Sequence, residues 1–75
     1  MMFYTIDLHG YTRQEAKVQL NRYLSNLPAG QHEITVIHGY SSTVLLDFVQ
    51  KQYRHKRLLR KILTLNKGET IFIIQ

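Results

Sequence analysis

The chain has 75 residues, no cysteine, and ten Lys plus Arg against five Asp plus Glu, a formal net charge of +5. One domain of this length buries only roughly 60% of the surface its unfolded chain exposes. With no disulfide or thiolate metal site to staple it, the 44% of residues that are hydrophobic must carry the fold. Missing cysteine fits a reducing, cytoplasmic location. No apolar run approaches the ~18 residues that cross a bilayer, the N-terminal residues do not read as a secretory signal, and the basic balance favours an anionic partner.

Phe3 to Leu8 alternates Tyr4, Ile6 and Leu8 with Phe3, Thr5 and Asp7, the period of a strand. Ala16, Leu20, Tyr23, Leu24 and Leu27 then recur at helical spacing. Thr12 and Glu15 have the spacing of a capping box at the start of that helix, and Pro28 and Gly30 end it. Glu33 to Ile37 is a second short, β-branched strand. Leu45, Phe48, Val49 and Tyr53 mark a second helix, capped by Ser42 or Thr43, with Asp47 early and Lys51, Arg54, Lys56 and Arg57 late, as the helix dipole favours. Two further strands, Lys61 to Leu65 and Thr70 to Ile74, flank Asn66-Lys67-Gly68-Glu69, a hairpin turn in which Gly68 is expected at positive φ.

The order is βαβαββ. It predicts a single α+β domain over residues 1–75, a two-layer sandwich of one four-stranded mixed sheet with both helices on one face, because βαβ crossovers are right-handed. The other face of the sheet is left without a helix, open to an oligomer partner such as a second copy, or to a ligand. The last strand is too uniformly apolar for an exposed edge.

A motif repeats within the chain. Ile6-Asp7-Leu8-His9-Gly10-Tyr11-Thr12 and Val36-Ile37-His38-Gly39-Tyr40-Ser41 both run apolar, His, Gly, Tyr, hydroxyl where a strand gives way to a helix. Parallel strands end on the same edge of a sheet, the edge at which open α/β sheets bind ligands. Gly10 and Gly39 let the backbone approach a phosphate, helix-start amides attract one, and Tyr40, Ser41 and Ser42 add donors. The imidazoles of His9 and His38 suit general acid or base work, while Asp7 suits orienting an imidazole or holding a divalent metal such as magnesium. Tyr11 and Tyr40 have two readings, as stacking partners of bases or as covers for the edge of the core. A second feature, Lys51 to Lys61, contains Lys51, Arg54, Lys56, Arg57, Arg60 and Lys61 without an acid, a composition suited to phosphate neutralisation. Arg13, Lys17 and Arg22 on the first helix can extend that surface.

These residues carry a resemblance. Asp7-Leu8-His9-Gly10 before one helix, His38-Gly39 before the next, and a terminal β-pair resemble the Smr (small MutS-related) domain over essentially the whole chain. The resemblance implies a βαβαββ sandwich similar to the C-terminal domain of translation initiation factor 3, and nucleic-acid binding with nicking of DNA or cleavage of RNA. Asp7, His9 and His38 would then be catalytic. The first signature motif is intact. In the second, Ser41 stands where the family usually has glycine and Tyr40 replaces a frequent lysine. The expected glycine-rich turn near the last strands is reduced to Asn66-Lys67-Gly68-Glu69. These departures keep a second expectation open, a non-catalytic module that docks on a ribosome or a protein through its basic surface and uncovered sheet face.

Overall fold

A computed structural model describes residues 4–39 and 43–75 of the chain. Tyr40, Ser41 and Ser42 therefore lie outside the described residues. The elements are β1 (Tyr4–Asp7), α1 (Arg13–Ser25), β2 (Glu33–Ile37), α2 (Thr43–Asp47) continued by a π-helical turn (Phe48–Gln52), β3 (Leu58–Leu63) and β4 (Glu69–Ile74). The βαβαββ order is the one the periodicities predict. The sheet runs β1-β2-β4-β3, with β1 parallel to β2 and the other pairs antiparallel. The most apolar strand, β4, is thus interior, and the free edges are β1 and β3.

Alternation assigns the faces. Ile34 and Val36 on β2 and Thr70, Phe72 and Ile74 on β4 are buried, and Ala16, Leu20 and Leu24 of α1 with Leu45, Phe48 and Val49 of the second helical segment complete that core. The opposite face, carrying Thr35, Ile37, Ile71 and Ile73, is half-buried at most. Thr12 and Glu15 form the expected capping box, Thr12 accepting from the Glu15 amide at 3.1 Å and Glu15 from the Thr12 amide at 2.9 Å. Tyr53 closes the core, stacked on Phe72 with ring centroids 5.9 Å apart and donating its hydroxyl to Asn21 Oδ1 at 2.8 Å.

Three local expectations are corrected. The second helix ends at Gln52, because its last turn widens to a π-turn closed by the Tyr53 amide on the Phe48 carbonyl at 2.8 Å, and Tyr53 then turns extended. Arg54, Lys56 and Arg57 therefore do not sit in its last turn. Strand β3 begins at Leu58, three residues early, so Arg60 and Lys61 are strand residues on a free edge, where charge deters edge pairing. Among the described residues the positive-φ glycines are Gly10, Gly30 and Gly39, not Gly68. The Asn66 side chain makes that turn instead, accepting the Gly68 amide at 2.8 Å.

Candidate functional site

The two His-Gly strand ends lie side by side. Leu8 donates its amide to the Ile37 carbonyl at 2.6 Å, and a Cβ placed on Gly39 would lie 3.7 Å from Cβ of His9. Gly10 and Gly39 take φ of +83° and +79°, the left-handed turns that let the chain leave each strand. The imidazoles nevertheless go opposite ways.

At the end of β1, Asp7 Oδ1 accepts two hydrogen bonds from His9, one from Nδ1 at 2.8 Å and one from the backbone amide at 3.0 Å. A carboxylate only accepts, so Nδ1 carries the proton in the neutral ring and Nε2 keeps its lone pair. These bonds, the ring's first, hold the Asp7 carboxyl below its ordinary range. The His9 side chain is 74% exposed, which leaves the free nitrogen open to solvent. The arrangement is an exposed imidazole oriented by an ionised carboxylate.

At the end of β2, His38 is 1% exposed. Its Nδ1 lies 2.8 Å from the Gly39 carbonyl and its Nε2 lies 3.0 Å from Thr70 Oγ1, which also accepts Gln50 Nε2 at 3.0 Å. Since the carbonyl cannot donate, a buried chain runs from the Gln50 amide to the Thr70 hydroxyl, to His38, to Gly39. The amides of His38 and Gly39 both donate to the Gly68 carbonyl. The structure thus joins Asp7 to His9 and places the His38 ring in the core, away from where a substrate can reach it.

The basic residues separate as well. Arg57 folds back, its Nη1 donating to the Leu24 and Leu27 carbonyls at 2.6 and 3.1 Å, which caps the end of α1. Lys61 is half-buried on the helix side, its ammonium 5.9 Å from the Phe72 ring centre, and burial first and the Arg54 charge second push its pKa down. Arg60, one residue earlier, faces the open side opposite Ile73. Lys51 reaches Asp47 at 3.7 Å, and Arg54 is exposed. The run from Lys51 to Lys61 is therefore not one surface, because consecutive strand residues face opposite ways. Arg13 and Lys17 instead line a cleft of about 430 Å³ between the start of α1 and the π-turn, with Thr12, Gln14, Phe48 and Gln52.

Sequence reasoning missed Thr70 and Gln50. Thr70 had a signal, a polar residue in phase with Phe72 and Ile74 on the core face. Gln50 had none, since only the π-turn aims it. Among the described residues no three His, Asp or Glu side chains converge as a metal site.

Comparison with curated proteins and with solved structures gives no match. The model of the Smr domain, a nucleic-acid-binding, endonuclease-type family, matches residues 6–69, and the chain belongs to that family.

Proposed function

We propose that this domain binds nucleic acid and hydrolyses a phosphodiester bond with the Asp7–His9 pair. The observation that carries the reading is the double hydrogen bond from His9 to Asp7 Oδ1, which orients the ring through Nδ1 and leaves Nε2 exposed, a base in the neutral ring. In this reading His9 Nε2 takes the proton from an attacking water, or from the 2′-hydroxyl of RNA, as the new P–O bond forms. The resulting imidazolium returns that proton to the departing oxygen as the old P–O bond breaks. Asp7 stays ionised and stabilises the imidazolium. Arg13 and Lys17, at the start of α1, and the exposed Lys51 and Arg54 supply positive charge for the flanking phosphates. His38, Thr70 and Gln50 hold the Gly39 turn against His9.

Labelled single-stranded, duplex and structured RNA and DNA test the reading. His9→Ala is expected to lower cleavage by about 100-fold or more, the scale of general acid–base catalysis, without unfolding the domain. Cleavage at the wild-type rate by His9→Ala would refute the assignment.

A second reading has an observation of its own. The open sheet face carries Ile37, Ile71 and Ile73, half-buried, and Ile62 at 39% exposure. Its ends carry Asp7, Glu33 and Glu69, three of the five acids of the chain. That face does not suit a phosphate backbone. It suits docking on a ribosomal or other protein, or on a second copy, in a domain that does not cut. Affinity that is insensitive to salt, or a dimer in solution, would favour it, whereas phosphate binding falls steeply with salt.

A further inference from the structure

The free edge of β1 is flanked by a groove that runs alongside α1. Its larger part, about 340 Å³, is lined by Tyr4, Ile6, Gln19, Arg22, Tyr23 and Asn26. A second depression of about 300 Å³ adjoins it through the shared Gln19 and extends to Tyr11, beside Gln14, Glu15 and Val18. Tyr4 and Tyr23 thus line one depression of this channel and Tyr11 the other, with Gln19 common to both. Tyr11 is 40% exposed and belongs to the turn that carries His9 and Gly10. Tyr4 and Tyr23 are partly buried neighbours, and burial together with Tyr4 pushes the Tyr23 phenol up.

We infer that this channel is a track for a single strand, in which Tyr11 and the Tyr4–Tyr23 pair are stacking platforms for unpaired bases leading away from the Asp7–His9 pair. The inference rests on the nucleic-acid reading above and adds to it the class of substrate, an unpaired segment. Four features of the groove point the same way. Flat aromatic faces accept any base by stacking. Gln19 presents an amide group that matches the donor and acceptor edge of a base, and Asn26, whose Nδ2 donates to the Arg22 carbonyl at 2.9 Å, adds its Oδ1 as an acceptor. Arg22 supplies a cation, no acid lines the larger part, and the one acid of the smaller part, Glu15, is engaged with the Thr12 amide. Finally, Tyr11 follows His9 by two residues in the turn closed by the Tyr11 amide on the Leu8 carbonyl, which sets the Tyr11 end of the track next to the Asp7–His9 pair. A duplex has its bases stacked inward and cannot use such platforms.

Fluorescence polarisation of labelled oligouridine and oligodeoxythymidine, each as a single strand and as a duplex with its complement, tests the track. The RNA and DNA arms identify the source of the base. Single strands are expected to bind more tightly than duplexes, with Tyr11→Ala weakening single-strand affinity by about tenfold and Tyr11→Phe leaving it unchanged. Because Tyr23 touches the core, Tyr23→Leu is paired with a circular-dichroism check, and 5-iodouracil photocrosslinking of the wild-type protein is expected to label Tyr11 or Tyr23. Equal affinity for duplex and single strand with no effect of Tyr11→Ala, crosslinks confined elsewhere, or no binding to any of the four probes overturns the inference. If cleavage depends on His9 while the tyrosine variants bind normally, the track fails and the proposed function stands. If the tyrosines govern binding and nothing is cut, the track stands and the catalytic reading fails.

Discussion

The two His-Gly strand ends share their letters and differ in phase. On β1 the core-facing positions are Ile6 and Leu8, so His9 falls one residue past the core-facing set and leaves the sheet toward solvent. On β2 they are Ile34 and Val36, and His38 is the next in step, so its ring enters the core. Neighbours reinforce the split. β1 is an edge strand, and Asp7 takes up the His9 amide and ring. β2 is interior, and β4 supplies both the Thr70 hydroxyl for the ring and the Gly68 carbonyl for the two backbone amides. A repeated motif thus yields one solvent-facing imidazole and one buried anchor, decided by whether the histidine is in or out of register with the alternation.

The sharpest way to break this comparison is to exchange the expected phenotypes. His9→Ala is predicted to lower cleavage by about 100-fold or more and to leave the urea midpoint within error, since exposed substitutions shift stability by about 0.5 kcal/mol or less. His38→Ala is predicted to do the reverse. It removes a buried ring and leaves Thr70 and Gln50 unpartnered, for a loss of about 2–4 kcal/mol in urea denaturation. In a domain this small that is a large share of the total.

Thr70→Val sharpens the account of the buried chain with a smaller effect. It keeps the shape but strips the hydroxyl that joins Gln50 to His38, at a cost of about 1–3 kcal/mol, again by urea denaturation. The smallest effect is confined to alkaline pH. Burial pushes the Tyr53 phenol up to about 12 from the ordinary 10.0. A raised value means that the folded state resists ionisation, so its stabilising contribution is complete below pH 10 and is lost as pH rises through about 12. Thermal melts across that window check it, and Tyr53→Phe removes this part of the alkaline loss.

Much of the fold was legible in the sequence because period and capping agree. The alternation of Glu33 to Ile37 and the Thr12–Glu15 box gave β2 and the start of α1 directly, and the apolar uniformity of Thr70 to Ile74 predicted an interior strand. What was hidden depends on contacts distant in sequence. Arg57 reads as surface charge until the end of α1 is placed beside it. The π-turn at Phe48–Gln52 has no periodic signature, so the length of the second helix and the reach of Gln50 could not be read. At the candidate site the Asp7–His9 pairing was visible as a two-residue spacing. The inward turn of His38 was legible only by counting its phase against Val36, a step that aligning the two motifs letter by letter conceals.

One imidazole of the repeat, His9, faces solvent and its sequence counterpart, His38, does not. Carbethoxylation of the native domain, mapped by mass spectrometry residue by residue, tests it most directly. Rapid labelling of His9 is expected, with His38 protected until urea unfolds the chain. Labelling of His38 at the rate of His9 in the folded protein would contradict it.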